Sequence, residues 1–313
     1  MKNVNDLYKH ILANGQWEPN RTGIDTITTP GEMLKFDLRD GFPAVTCKKL
    51  AFDPVKGELV GFMRGVTSAA DFRALGCKVW DQNANENAAW LANPNRQGVD
   101  DLGPVYGAQW RRWLDTRITQ TPEEAAYLEA QGYVMQIHGG GDFFAYSKEI
   151  DQLAIALNDV RNNSQSRRIR VTAWNPGVLD MVALPACHTD FQFLPRSDGT
   201  LHMCMYMRSI DTFLGLPFNI ASYALLLELF ARWTGRTAAT LTMFLADTHI
   251  YRNHMEQVHE LLSRTPFDKP QIDIDILGVT LNMGIEALVQ IEPSDIQLIN
   301  YQHHAAIKAP MAV

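Results

Sequence analysis

Cysteine is scarce in this chain. Its 313 residues include four, Cys47, Cys77, Cys187 and Cys204, none in Cys-x-x-Cys spacing. That removes a disulfide scaffold and thiolate zinc sites, and points to a reducing, cytoplasmic setting. Positive charge is not in excess: 28 basic against 35 acidic residues give a net charge of −7. No broad basic field for nucleic acid follows, although a local basic cluster for a small anion remains compatible. Apolar runs are interrupted well before membrane-spanning length. The opening Met1-Lys2-Asn3-Val4-Asn5 lacks the apolar stretch of a secretion signal. There is no Gly-x-Ser-x-Gly elbow, no Walker loop and no dinucleotide fingerprint. His138-Gly139-Gly140-Gly141 imitates a lipase oxyanion loop, but without the elbow it reads as a flexible turn. No low-complexity linker or internal repeat divides the chain, so one domain over residues 1–313 is expected, with an inserted segment around 112–147.

What is present is an ordinary globular composition, 46% hydrophobic and 20% charged. Val4, Leu7, Tyr8, Ile11 and Leu12 make a helical stripe. Residues 24–36, interrupted by Pro30-Gly31, read as a hairpin or bent strand. Residues 54–64 read as a helix opened by proline. Thr121-Pro122-Glu123-Glu124 is a helix start with cap, proline and acidic first turn. Residues 148–160 read as an amphipathic helix. Strands are expected near 168–174, 188–194, 200–208 and 239–246, and 217–233 as a buried helix, apolar nearly all round. Residues 83–101 and 132–147 read as loops. Helices and strands mix without regular alternation, which argues an α+β fold.

The chemistry concentrates in Leu184-Pro185-Ala186-Cys187-His188 and in Arg208 to Asn219. A thiolate is a strong nucleophile, and a nearby guanidinium favours the anion. An amide carries both donor and acceptor, as the edge of a uracil ring requires. A buried structural cysteine is the bland alternative, and it is the reading for Cys47, Cys77 and Cys204. Ser166-Arg167-Arg168 is either a solvated basic patch or part of a phosphate clamp, with Arg21 and Arg208-Ser209 as further members. If the strand before Asp247-Thr248-His249-Ile250-Tyr251 continues, His249 and Tyr251 share a face and can meet a sugar hydroxyl. His254 and His259 complete no zinc ligand set, so no metal is expected.

Many blocks, in order along nearly the whole chain, resemble folate-dependent thymidylate synthases. They include Asn20-Arg21-Thr22-Gly23, Phe36 to Pro43, Lys48-Lys49-Leu50, Gly57-Glu58-Leu59 and Val79-Trp80-Asp81. Others are Asp101 to Gly107, Ser166-Arg167-Arg168, Ala173-Trp174-Asn175-Pro176, Cys187-His188, Arg208 to Asn219, Asp247 to Tyr251 and Ile307 to Val313. The resemblance implies an α+β fold with a large mixed or antiparallel sheet flanked by helices, the sheets of two subunits packed back to back in a homodimer. It implies reductive methylation of dUMP to dTMP, with 5,10-methylenetetrahydrofolate as co-substrate supplying carbon and hydride and no metal.

Residue roles follow from the same resemblance. Cys187 would attack C6 of the pyrimidine. Arg21, Arg167, Arg168, Arg208 and Ser209 would hold the phosphate, Arg167 and Arg168 reaching into the partner's site. Asn219 would bind the base edge, and His249 and Tyr251 the 3′-hydroxyl. Glu58 would run proton transfers through water, and Tyr106 would assist loss of the C5 proton. His188 and Asn175 would belong to a supporting network. Trp80, Asp211, Leu214, Gly215 and Phe218 would line the folate site, with Asp211 also facing the nucleotide, and Val313 would close over the ligands. The chain departs from the family at Ala51, where histidine is frequent, at Asp53, where a basic residue is, and at Gly61, where tryptophan is. Two other readings stay open: a uridylate hydroxymethyltransferase on the same fold, and a silent nucleotide- or RNA-binding regulator.

Overall fold

The computed structural model describes residues 4–138, 143–275 and 283–311. The apolar stripe forms α1 (Val4–Asn14), which buries Leu7, Tyr8 and Ile11 and leads to the short edge strand β1 (Gln16–Glu18). Then comes β2 (Thr26–Asp37). Pro30-Gly31 does not fold it into a hairpin. One register with a later strand runs from Thr26 to Asp37, and Gly31 absorbs the irregularity at φ +75°.

Helix α2 (Phe52–Arg64) is ended by Gly65 in the left-handed region. Short helices follow: α3 (Ala69–Ala74), α4 (Asp81–Asn85), α5 (Ala88–Leu91) and α6 (Gly107–Arg111). Two of them lie in the segment expected to be a loop, because Asn87 caps α5 and the Trp90 indole NH donates to the Asp101 carbonyl at 2.7 Å.

Residues 113–150 form a small layer of their own. Strands β3 (Trp113–Thr119), β4 (Val134–His138) and β5 (Phe144–Ile150) pair in the order β3-β5-β4, backed by α7 (Pro122–Ala130). Ala125, Leu128, Tyr133 and Tyr146 give this layer a separate core. The loop expected at 132–147 is therefore corrected to two strands; of the His138-Gly139-Gly140-Gly141 turn, residues 139–141 lie outside the described residues. The helix expected from residue 148 begins at Gln152 instead. Residues 144–150 pair as β5, and the Asp151 carboxylate caps α8 (Gln152–Asn162) by accepting from Ala154 N at 2.9 Å.

The large sheet is completed by β6 (Arg170–Thr172), β7 (His188–Pro195), β8 (Thr200–Asp211) and β9 (Thr237–Tyr251), in the order β1-β2-β9-β8-β7-β6. All neighbours are antiparallel except β8 and β9. That parallel pair needs a crossover, which is α9 (Gly215–Trp233), buried along most of its length against the inner face of the sheet. Leu34, Met203, Met205, Met207, Leu241, Met243 and Leu245 point into this core. The chain ends with α10 (Met255–Ser263), β10 (Gln271–Ile274), α11 (Ile285–Leu288) and β11 (Ile296–Ile299).

Gly61 has a local explanation. A Cβ there would lie 2.3 Å from the Phe72 ring, which packs edge-on to Phe62 and stacks on Trp80. The ring occupies the space beside the glycine. Gly61→Ala should therefore lower stability by about 1–3 kcal/mol, the usual cost of overpacking, read as a lower urea midpoint at unchanged slope.

Candidate active site

The strand directions create the site. Because β8 and β9 are parallel, Ser209 pairs with Asp247 and Asp211 with His249, and both strands finish at the same end. Antiparallel β7 starts there, His188 opposite Met207, so Cys187 arrives beside Arg208. Antiparallel β2 also starts there, Thr26 opposite Tyr251, bringing in the Arg21 loop. Helix α9 leaves from this end and sets Leu214, Gly215, Phe218 and Asn219 in its first turns. These residues line a cavity of about 1100 Å³, together with Glu58, Trp80, Tyr106, Cys187, His188, Ser209, His249 and Tyr251.

Arg208 is the grip on the nucleophile. Its Nε donates to the Ala186 carbonyl at 2.8 Å and its Nη2 to the Pro185 carbonyl at 3.0 Å, leaving Nη2 3.6 Å from Cys187 Sγ. The backbone reciprocates, Arg208 N donating to the Cys187 carbonyl at 2.9 Å. Cys187 N donates to the Tyr106 hydroxyl at 2.8 Å. Tyr106 itself sits at φ +20°, a costly value for a tyrosine. Its ring lies over His188 with centroids 4.2 Å apart. Burial, reinforced by the neighbouring thiol, holds the Tyr106 phenol well above its ordinary range, so it stays protonated. Burial pushes His188 down to about 3, so its ring is neutral; its Nδ1 is 2.6 Å from the Tyr223 hydroxyl.

Glu58, carried into the core by α2, is only 6% exposed. Burial pushes its carboxyl up to about 8, against the opposing pull of the Trp80 indole NH, which donates to Oε1 at 3.0 Å. A carboxyl poised there can give or take a proton near neutral pH. At the strand ends, the Asp247 carboxylate accepts from Thr28 Oγ1 at 2.7 Å and Ser209 Oγ at 3.2 Å and lies 3.4 Å from His249 Nδ1. The His249 contact foremost brings it down to about 2. Ser209 was expected on a phosphate; in this structure it orients toward Asp247. Asp211 Oδ1 accepts from Phe213 N at 2.8 Å and Leu214 N at 3.3 Å, fixing the turn that enters α9.

Some expected residues stand apart. Arg167 and Arg168 are exposed in the turn before β6, not within a strand, and do not line the cavity. Neither guanidinium has a hydrogen-bond partner among the described residues; only the backbone here is held, by Gln192 and Ser166. Arg21 reaches the cavity and is exposed. Asn175 donates to Gln109 Oε1 at 3.0 Å and lies outside the lining. Val313 lies outside the described residues, although Met311 borders the cavity. Cys47 and Cys77 are buried as expected, whereas Cys204 is half-exposed on the outer side of the sheet. Sequence reasoning missed Tyr223 and gave Asp247 no role. Tyr223 lies in a mostly apolar helix with no local signal; Asp247 is two residues before His249 on the face shared by His249 and Tyr251, so strand alternation could have found it.

A thiol beneath a guanidinium, beside a carboxyl of raised affinity for protons, makes this an enzyme that works by nucleophilic attack through sulfur. Comparison with known proteins resolves the class further. The thymidylate synthase family model matches residues 2–313. The thymidylate synthase of Bordetella parapertussis is 46% identical over 324 residues, covering 100% of both chains. That of Pseudomonas putida is 46% identical over 323 residues, again 100% of both, and that of Symbiobacterium thermophilum 38% over 301, covering 96% of this chain and 92% of its own. The chain belongs to the thymidylate synthase family.

The Glu58 environment has a signed consequence for stability. With its carboxyl raised from the ordinary carboxylate range to about 8, the folded protein holds a proton the unfolded chain gives up. That stabilisation is complete at acid pH and is lost as pH rises through 8. Glu58→Gln, which keeps an acceptor for Trp80, should be close to wild type in Tm at pH 5 and higher than wild type at pH 9. Calorimetry across that range checks it.

Proposed function

We propose that the protein makes dTMP from dUMP, using 5,10-methylenetetrahydrofolate as co-substrate. The folate supplies both the one-carbon unit and the hydride. The observation that carries this reading is the Arg208 grip: it holds the Cys187 loop by two carbonyls and still points a nitrogen at Sγ. The cavity suits both ligands. Its strand-end half is polar and bears Arg21, Ser209, Asn219, His249 and Tyr251, while Trp80, Leu214 and Phe218 offer apolar surface to a second planar group.

In this reading Cys187 Sγ bonds to C6 of the base, and the electron pair of the C5–C6 double bond moves toward the O4 carbonyl. Glu58, acting through water, supplies the proton there, which its raised proton affinity permits. C5 then bonds to the one-carbon unit; on loss of the C5 proton the bond from that carbon to the folate nitrogen breaks, tetrahydrofolate leaves and an exocyclic methylene remains for the hydride it donates. The Tyr106 hydroxyl, held beside the nucleophile, assists departure of the C5 proton. Hydride completes the methyl group, and the S–C6 bond breaks to free Cys187. Arg21, Arg208 and Ser209 bind the phosphate, and Asn219 reads the base. Trp80 and the end of the chain, Met311 to Val313, exclude water from the reactive intermediate.

Arg167 and Arg168 complete the phosphate clamp of a partner subunit. Their exposure and lack of local partners support this. So does the outer face of the sheet, where Met33, Phe244 and Tyr206 form one row across β2, β9 and β8 and are 50%, 42% and 43% exposed. Packing two such faces back to back buries this row in a homodimer. Residues 112–147 act as an insertion on the single catalytic domain. No helix among the described residues is long and apolar enough to cross a membrane; a cytoplasmic location suits the cysteine usage.

Incubation of the protein with dUMP and methylenetetrahydrofolate should yield dTMP and dihydrofolate by mass spectrometry; a hydroxymethyl product would instead place the protein with the rival chemistry. Cys187→Ala should abolish turnover while leaving dUMP binding measurable by calorimetry, because the phosphate and base contacts remain. Mixing Cys187→Ala protein with Arg167→Ala/Arg168→Ala protein should restore about a quarter of wild-type activity, since one site in each mixed dimer is whole. No recovery after subunit exchange would refute composite sites.

A further inference from the structure

His254 is wholly buried, yet both of its ring nitrogens face oxygen. Its Nε2 lies 2.7 Å from the Pro310 carbonyl, and its Nδ1 lies 3.6 Å from Asp211 Oδ1. A carbonyl only accepts, so Nε2 carries a hydrogen. A neutral ring would then turn a lone pair of Nδ1 toward a carboxylate, and Nδ1 has no hydrogen-bond partner among the described residues. A ring with both N–H groups satisfies both neighbours. The other groups facing it are few. Lys48 comes from the segment before α2, with its Nζ committed to the Phe213 carbonyl at 2.6 Å, and the Tyr251 ring meets His254 edge-on at 5.6 Å. The Phe213 ring also packs on it, with centroids 5.5 Å apart. Burial opposes a charge here and Lys48 adds to that opposition, but the Asp211 carboxylate and the Pro310 carbonyl outweigh them, so the imidazole is held above its ordinary range.

The two partners belong to separate segments that both reach the cavity. Asp211 fixes the turn that presents Leu214, Gly215 and Phe218 to the cavity, and Pro310 directly precedes Met311, which borders the cavity at the end of the described chain. His254 is thus a strut that links the turn assigned to folate with the C-terminal segment whose Met311 borders the same cavity.

We propose that His254 is a positioning residue, tying the C-terminal segment at Pro310 to the Asp211 turn and so setting the folate half of the cavity. This rests on the assignment of Leu214, Gly215 and Phe218 to the folate. The strut is complete while the ring is an imidazolium. It is intact below the ordinary histidine range and fails as pH rises through the raised value, loosening the folate side and leaving the phosphate and base contacts in place.

The test uses the full-length enzyme, with dihydrofolate formation followed by absorbance and dUMP affinity by calorimetry. In the wild type, KM for methylenetetrahydrofolate should rise with pH while dUMP Kd stays flat. His254→Gln keeps a donor for Pro310 without the charge. It should raise the folate KM roughly tenfold at pH 6, flatten its pH dependence, and leave dUMP Kd within about twofold. Nitrogen-15 spectra of the wild-type histidine rings should show one imidazolium persisting above pH 6.5 and absent from His254→Gln. A variant with wild-type folate KM and pH profile overturns the proposal, as does equal loss of dUMP and folate affinity, which would mark a merely structural role. If the variant fails to fold, the wild type decides: the ring titration and the rise in folate KM must share a midpoint. Absence of any dihydrofolate would sink the proposed reaction instead, while the ring spectra would still report on the strut.

Discussion

The parallel pairing of β8 with β9 is the constraint on which the molecule turns. It is the single departure from antiparallel order in the large sheet. Parallel strands require a crossover, and the crossover is the apolar helix α9, so one choice of strand direction creates both the core and the site. The last residues of β8 and β9 and the first turns of α9 then face one another across a cavity. Had β9 run the other way, Asp247, His249 and Tyr251 would lie at the far end of the sheet from Arg208.

Around that end the fold spends stability on chemistry. Glu58 is buried where its charge is disfavoured. Tyr106 takes a backbone conformation that tyrosine resists. His188 is sealed in neutral form beneath the Tyr106 ring. Each departure costs on the order of 1–3 kcal/mol. The large apolar core, in which α9 alone buries more than a dozen side chains, offsets them. Proton affinity is set here chiefly by burial, because few charges approach Glu58 or His188. The exception is the strand end, where partners hold the Asp247 carboxyl low and Asp211 faces a neighbouring histidine.

Much of the site was legible in the sequence because its residues come in short blocks. Cys187, Arg208, Asn219, His249, Glu58, Trp80 and Tyr106 were all chosen from the chain, and all line one cavity. Asn175 was also in such a block and stands aside, bonded to Gln109. The errors in the fold have plain causes. Residues 132–147 are rich in glycine and polar groups, which hid two strands that owe their stability to a small separate core. The helix expected from residue 148 fitted a 3.6-residue period equally well as a strand followed by a capped helix. Pro30-Gly31 left a hairpin or a bent strand open, and the long neighbouring strand selects the strand by enforcing extended chain across it.

By itself the sequence determined the type of chemistry. Residue identity decides which side chain can be a nucleophile, a fork for phosphate or a reader of a base edge, and these travel in blocks short enough to see. The order of those blocks fixed the family. What only the tertiary structure decided is which groups meet and in what state of protonation. That Asp211 faces His254, that Asp247 gathers Ser209 and His249, and that Glu58 keeps its proton are properties of distance and burial. Those depend on strands and helices far apart along the chain, so no local pattern of residues could carry them.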